Sequence, residues 1–332
     1  MNIQYLGTIP PPKIPGTEAI FQEIEMLVAA FGGQFINLYP FRRYVPGYPR
    51  VLYGAHCIRE LRSRDRAADL HHVFMHHLYR LPALEVLKKP IVCELVTPVN
   101  PRRRLPAGQS LHVVVNNRRD KGLLEARGLE HVHSVPPGID TSRIPDSGPP
   151  AGEEFVLFCG SAPWVPAHFR AKGFDLVLDA VRRTPGLRLV CLWRGVLYPE
   201  FIERVRRAGV AGRVEVVNRH ADLASVLPRV HAAVLLAESP GVVNAYPRSL
   251  IEALVAGKPV ITSSIIPLAD YVREKECGCV AEVFSSGDLL RCVEAVRDGY
   301  DRLAQNARMH ARGDFSKEAM IEGYRRVYSR LA

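Results

Sequence analysis

The 332-residue sequence has no charge-free apolar run of about 18 residues, the length a spanning helix needs. Its first residues, Met1 to Gly7, lack both a basic n-region and a long apolar stretch, so they read as a first β-strand rather than a signal peptide. The expected compartment is therefore the cytoplasm. No short-period repeat is present, which excludes solenoids and propellers. No helix-turn-helix, zinc-finger or RNP-type motif is present either, so nucleic acid is not an expected partner. The seven cysteines include no C-x-x-C pair, and several sit in apolar strand-like runs, as small buried hydrophobes do in a reducing compartment. Cys277-Gly278-Cys279 is a weak metal or redox signal without a partner pair.

What is present is ordinary globular material. Apolar residues make up 47% and charged residues 23%, which excludes a wholly disordered chain and leaves enough apolar side chains for two cores. The net charge of +10 is spread over both halves, with Arg42-Arg43 and Arg102-Arg103-Arg104 as its densest clusters. Such charge serves solubility, an anionic membrane surface met peripherally, or phosphate-bearing ligands.

Short strand-like runs alternate with helical segments. Strands are expected at Ile3–Leu6, Gln34–Leu38, Val73–His76, Ile91–Leu95 and His112–Val115, then at Phe155–Cys159, Leu187–Leu192, Val214–Val217, Ala233–Leu236 and Val260–Thr262. Glu18–Phe31 and Phe174–Arg183 carry apolar residues at helical spacing, and Lys317–Leu331 reads as one amphipathic helix. The alternation predicts an α/β fold with parallel sheets and crossover helices. The stretch DTSRIPDSGPPAGEE at 140–154 has no apolar period and reads as a linker, giving domains at 1–145 and 150–315.

In parallel sheets ligands bind beyond the carboxyl ends of the strands, so the loops there are the candidate ligand sites. After Phe155–Cys159 come Gly160-Ser161-Ala162-Pro163 and then Arg170-Ala171-Lys172-Gly173, which puts two cations at a helix N-terminus, a place suited to a diphosphate. After Ala233–Leu236 a loop leads to Pro247, read as the first helical position, and to a helix over 247–256. Gly257 follows it at C′, and Glu252 stands within reach of an i,i+4 ion pair with Arg248.

The segment Asn244–Val260 resembles the E-x7-E signature of retaining GT-B glycosyltransferases of family 4. Asn244 occupies the first Glu position, Ala245 the Gly, and Tyr246-Pro247 the aromatic-Pro step. Glu252 is the second Glu, and Ala256-Gly257-Lys258-Pro259-Val260 the tail. Arg170-Ala171-Lys172-Gly173 is similar to the family's phosphate-binding Lys-Gly step, and Val135–Asp140 to the Pro-Gly-x-Asp segment that closes its N-terminal domain. Met1–Gly16 resembles the loop that approaches donor or acceptor.

The resemblance implies two Rossmann-like doubly wound domains facing across a cleft. The first would bind acceptor, with the helix 317–331 packing back on it, and the second the nucleotide-sugar, a UDP- or GDP-sugar. It implies sugar transfer with retention and no essential metal or other cofactor, in line with the absence of Asp-x-Asp. By resemblance Lys172, assisted by Arg170, meets the diphosphate. Glu252 accepts from the ribose hydroxyls, Gly160, Ser161 and the backbone of Ala245, Tyr246, Pro247 and Arg248 border the donor, and Arg219 borders the base. Gly16, Thr17, His76 and Thr97 are the acceptor or cleft candidates.

Two departures matter. Asn244 replaces a Glu that normally contacts the donor sugar, and Val96 stands about where the family carries a His. Thr97, His76 or His77 would have to substitute for that His. The expected acceptor is a polysaccharide, a lipid-linked glycan or a small molecule. Two alternatives stay open: a catalytically impaired member that binds a sugar nucleotide or a partner enzyme, and a nucleotide-sugar epimerase. A metal at His71, His72, His76 and His77 is not expected, because alternation puts neighbours on opposite faces.

Overall fold

The computed structural model describes residues 1–331 except 11–18, 44, 46, 103–110, 194, 220 and 222. The chain divides into two compact units, Met1–Gly138 with Lys317–Ala332, and Ile139–Ser316. Each is built on a six-stranded parallel sheet.

In the first unit the strands are β1 (Ile3–Gly7), β2 (Gln34–Asn37), β3 (Leu70–Met75), β4 (Ile91–Leu95), β5 (His112–Val115) and β6 (Val132–Ser134), in the order β2-β1-β3-β4-β5-β6. In the second they are β7 (Phe155–Cys159), β8 (Leu187–Trp193), β9 (Val214–Asn218), β10 (Ala232–Leu235), β11 (Val260–Ser263) and β12 (Gly278–Ala281), in the order β12-β11-β10-β7-β8-β9. Helices cover both faces, so central strands are apolar on both sides. In β7, Phe155, Leu157 and Cys159 enter one apolar layer while Phe158 enters the other. Among the described residues no helix is long and apolar enough to cross a membrane.

Several boundaries differ from the sequence reading, each for a local reason. β3 begins at Leu70 rather than Val73, because two histidines that read as polar are strand residues with buried partners. His71 Nε2 lies 2.9 Å from Asp65 Oδ1, and His72 Nδ1 lies 2.8 Å from the Tyr328 hydroxyl. β6 and β12 are unexpected: one has three residues and the other opens on glycine. The stretch 140–154 is not a free linker but lies on the second unit, whose boundary falls at 138/139. Lys258 Nζ donates to the Gly148 carbonyl at 2.5 Å, and Arg312 donates to the carbonyls of Thr141 and Ile144.

The helix Lys317–Tyr328 belongs to the first unit, where Met320, Tyr324, Val327 and Tyr328 pack over β1, β3, β4 and β5 beside the helix Ala19–Phe31. A polar knot lies under it. The Tyr324 hydroxyl donates to Glu94 Oε2 and lies 3.3 Å from Glu23 Oε1, and His72 Nε2 sits 3.2 Å from Glu94 Oε2. Burial pushes the Glu94 carboxyl up to about 8 and holds His72 down to about 3. The folded state thus keeps both groups neutral, with opposite consequences for stability. The Glu94 contribution is fully present below its ordinary value of 4.5 and is lost as pH rises through about 8. The His72 contribution is present above its ordinary 6.5 and is lost as pH falls toward about 3.

Glu94→Gln keeps the shape and the acceptor oxygen while removing the titration. Its stability relative to the parent is expected to rise between pH 6 and pH 8.5 in urea unfolding. A difference that stays constant across that range would exclude a buried neutral carboxyl.

Candidate functional site

Strand order fixes where the second unit can bind a ligand. Successive strands run outward from β7 to β8 and β9, and the chain then returns to β10 on the other side of β7. The carboxyl ends of β7 and β10 therefore flank the switch point, where connections leave in opposite directions and open a crevice. The two loops singled out in the sequence emerge there.

Glycine lets the two loops approach. A Cβ on Gly160 would stand 2.8 Å from Ser249 Cβ, at the start of the helix Arg248–Val255. Gly173, at φ +68°, lies against Leu236 just after β10, where a Cβ would meet Leu236 Cβ at 2.8 Å. The loops are also stitched directly. The Glu238 N–H donates to the Ala171 carbonyl at 2.8 Å, and Arg170 Nη2 donates to Glu238 Oε1 at 2.9 Å.

Lys172 sits between them. A short helix, Ala167–Ala171, ends just before it, and the helix Phe174–Arg183 begins just after Gly173. Phe169 on the short helix is fully buried in an aromatic cluster with Phe174, Trp193 and Phe201, and the Arg204 guanidinium stacks 4.4 Å from its ring centre. That cluster holds the loop in place. Lys172 is buried, and its Nζ donates to Ser161 Oγ at 3.0 Å and to the Ala162 carbonyl at 3.2 Å. Burial lowers its pKa to about 8, against a smaller opposing effect from Cys159. An ammonium with two neutral acceptors and little water is poised to gain from an anion. Arg170 is different: its side chain is 79% exposed and paired with Glu238, so it does not share the Lys172 cage.

On the second loop Arg248 Nε donates to Glu252 Oε1 at 2.8 Å, the i,i+4 pair expected from spacing, and the Glu252 side chain is only 12% exposed. Pro247 is the N-cap rather than the first helical residue, with an extended ψ of 122°. Ala245 is buried and its carbonyl accepts from the Leu268 N–H at 3.1 Å, and Tyr246 packs edge-on to Phe315, with ring centres 5.7 Å apart. Asn244 is exposed. Arg219 follows β9, an edge strand two places from β7, and is also exposed.

The tail of the segment has a structural account. Ala256 caps the helix, and the N–H groups of Gly257 and Lys258 donate to the carbonyls of Leu254 and Ala253, a Schellman closure. Gly257 at φ +77° lies against Arg308 and Asp146. Lys258 is fully buried with its amine on the Gly148 carbonyl, and Pro259 feeds β11.

In the first unit, His76 and His77 follow β3 and Thr97 follows β4. The Thr97 hydroxyl donates to the His76 carbonyl and lies 3.2 Å from His77 Nδ1, so these three meet at one sheet edge. Burial lowers the His76 pKa, and the Arg50 charge adds to this. Val96 packs in the apolar layer beneath the helix Lys317–Tyr328. Gly16 and Thr17 lie outside the described residues, as do Arg103, Arg104 and His220. Among the described residues no group of three His, Cys, Asp or Glu side chains is arranged to hold a metal ion. Phe169, Glu238 and Ser249 have no role that the sequence reading assigned. Phe169 left a faint trace, as one of two aromatics, with Trp164, in the insertion ahead of Arg170.

Two Rossmann-like units with these loops define a GT-B protein. The whole chain superposes on Anabaena HepE in complex with UDP-glucose at a TM-score of 0.75 and 16% identity, covering 100% of both chains. It superposes on sucrose-phosphate synthase from Thermosynechococcus elongatus at 0.76 and 14%, covering 100% of this chain and 99% of that one. Residues 143–311, half of the chain, match the glycosyl transferases group 1 family, and the chain belongs to that family.

Glycogen synthase of Mycobacterium tuberculosis (strain CDC 1551 / Oshkosh) is 27% identical over 209 residues, 60% of this chain and 49% of that protein. The lipopolysaccharide core biosynthesis glycosyltransferase LpsE of Rhizobium meliloti (strain 1021) is 25% identical over 156 residues, 46% of this chain and 45% of that protein. The chain spans about half the length of the curated relatives it matches.

Proposed function

We propose that the chain is a glycosyltransferase that moves a sugar from a nucleotide-sugar to an acceptor hydroxyl with retention, without an essential metal ion, in the manner of family 4. The bond from the sugar's anomeric carbon to the diphosphate breaks, the acceptor oxygen takes its place, and the hydroxyl proton is released with the nucleoside diphosphate. The observation that carries this reading is the buried Lys172 ammonium at the β7/β10 switch point, caged by Ser161 and the Ala162 carbonyl. A fixed cation in a water-poor site stabilises the charge that develops on a departing diphosphate. Glu252 is the ribose acceptor, presented by its pair with Arg248. Arg170, tied to Glu238, is reassigned from the diphosphate to the closing of the loop.

A UDP-sugar is the favoured donor, because HepE, of the same fold, was solved with UDP-glucose. The second unit holds the donor, and the first, with His76 and Thr97, takes a glycan, lipid-linked or small-molecule acceptor. The protein acts in the cytoplasm, at the membrane face for a lipid-linked acceptor. Arg42 and Arg43 stand exposed beside exposed Phe41, Val45, Val51 and Leu52, and no Asp or Glu occurs between Glu25 and Glu60, a pattern suited to anionic lipid.

The test is turnover. UDP- and GDP-sugars are offered with EDTA and candidate acceptors, with and without pelletable anionic vesicles, and product anomers are read by NMR. Nucleoside diphosphate release with a product of the donor's anomeric configuration is expected. Release that requires added metal, or an inverted product, would overturn the mechanism. A second reading, a sugar-nucleotide-binding protein without turnover, is favoured by the neutral, exposed Asn244 and by Val96. It requires donor binding with no product from any acceptor.

A further inference from the structure

The Cys277-Gly278-Cys279 step has no role in the donor site. Gly278 is explained by packing, since a Cβ there would stand 2.0 Å from the Val260 carbonyl oxygen of β11. Cys277 is buried in one apolar layer of the second unit, whereas Cys279 packs against the other and is half-buried. The thiol that meets Cys279 is Cys292, on the helix Ser286–Asp298, with the two sulfurs 2.6 Å apart. The two free thiols are thus in direct contact, and a disulfide of roughly 2.05 Å needs only a small further approach.

We propose that Cys279 and Cys292 form a reversible oxidation site that closes to an intramolecular disulfide when a hydroperoxide reaches Cys279. Arg291 spans both sulfurs, with Nη1 3.6 Å from Cys279 Sγ and Nη2 3.4 Å from Cys292 Sγ. It is held there by Asp288, which accepts from Arg291 Nε at 2.6 Å, and by the Val280 carbonyl, which accepts from Nη2 at 3.1 Å. The Cys292 hydrogen bond, helped by the Arg291 charge, brings the Cys279 thiol down to about 7. Cys292 is pushed up by its bond to Cys279 and by burial. The roles are thereby divided: Cys279, the half-buried thiol of the pair, is the nucleophile, and Cys292, which is buried, is the resolving thiol. The other five cysteines are buried, with thiols raised chiefly by that burial.

The chemistry balances with one hydroperoxide. The Cys279 thiolate attacks a peroxide oxygen, the O–O bond breaks, and a sulfenic acid and one water or alcohol result. The Cys292 sulfur then attacks the Cys279 sulfur, the S–O bond breaks, and its oxygen leaves as water with the Cys292 proton. Two thiols lose two electrons and the peroxide gains them. A dithiol reverses the step by exchange. Closure ties edge strand β12 to its covering helix, and it is independent of any sugar transfer.

The test treats the full chain with hydrogen peroxide, alkylates it after denaturation and maps the peptides by mass. Loss of two of the seven alkylatable thiols, as one Cys279–Cys292 disulfide restored by dithiothreitol, is expected. Cys292→Ser is expected to stop at a diketone-trappable sulfenic acid on Cys279, and Arg291→Gln to slow oxidation several-fold. The proposal is overturned if Cys279 and Cys292 alkylate as fully after peroxide as before it, or if Cys279 pairs with Cys277.

Discussion

Lys172→Ala is expected to lower kcat/KM for the nucleotide-sugar by roughly two to three orders of magnitude, the range for removing one preorganised charge-stabilising group. The ammonium is buried and, among the described residues, donates to a hydroxyl and a carbonyl. It therefore gains more from a diphosphate than a solvated lysine would. On the proposed mechanism, removing it leaves the departing diphosphate without its buried cation. The fold should not suffer, because burial already disfavours the charged amine and lowers it to about 8. Lys172→Met, which keeps the stem, is expected to melt no lower than the parent. The pH dependence carries the same signature: the free protein loses the ammonium as pH rises through about 8, so donor affinity falls there in the parent and stays flat in Lys172→Met. Steady-state kinetics and a donor titration between pH 7 and pH 9 check both points.

Phe169→Ala is expected to cost about 3–5 kcal/mol, the usual range for emptying a buried aromatic site. Its ring is fully buried, with centres about 6 Å from those of Phe174, Trp193 and Phe201. Because it precedes Lys172 by three residues, its loss also frees the short helix that places the ammonium. Denaturant unfolding and donor affinity should therefore fall together. Phe169→Leu, which fills most of the space, is expected to recover most of both. Stability lost with donor affinity intact would separate the aromatic cluster from the site.

These two residues mark how far the sequence could be read. Lys172 stands out as a candidate because a charged Lys-Gly step after an apolar strand is a local pattern. Asn244–Val260 was legible because its helix is bounded by Pro247 and by a C′ glycine, and its i,i+4 pair follows from spacing alone. Phe169 was not, because two of its three ring partners, Trp193 and Phe201, arrive from β8 and from the helix Tyr198–Arg207, which nothing in the loop announces. The histidines of β3 misled for the same reason. Their partners, Asp65 and Tyr328, lie outside the strand, and Tyr328 is near the other end of the chain. Arg170, read as an assistant to Lys172, is paired with Glu238 from the other loop, a contact that spacing does not announce. Periodicity reports faces and caps, but which side chains meet across a crossover is a property of topology.

The measurement that bears most directly on the site is a thermal-shift titration with UDP, GDP, ADP and dTDP and their sugars, with and without EDTA, on the parent and Lys172→Ala. A ligand that binds only the folded state raises the melting temperature by mass action. The expected result is a shift with one nucleotide series, UDP first, unchanged by EDTA and lost in Lys172→Ala. No shift with any nucleotide, or an equal shift in Lys172→Ala, would contradict a donor site between the loops that follow β7 and β10.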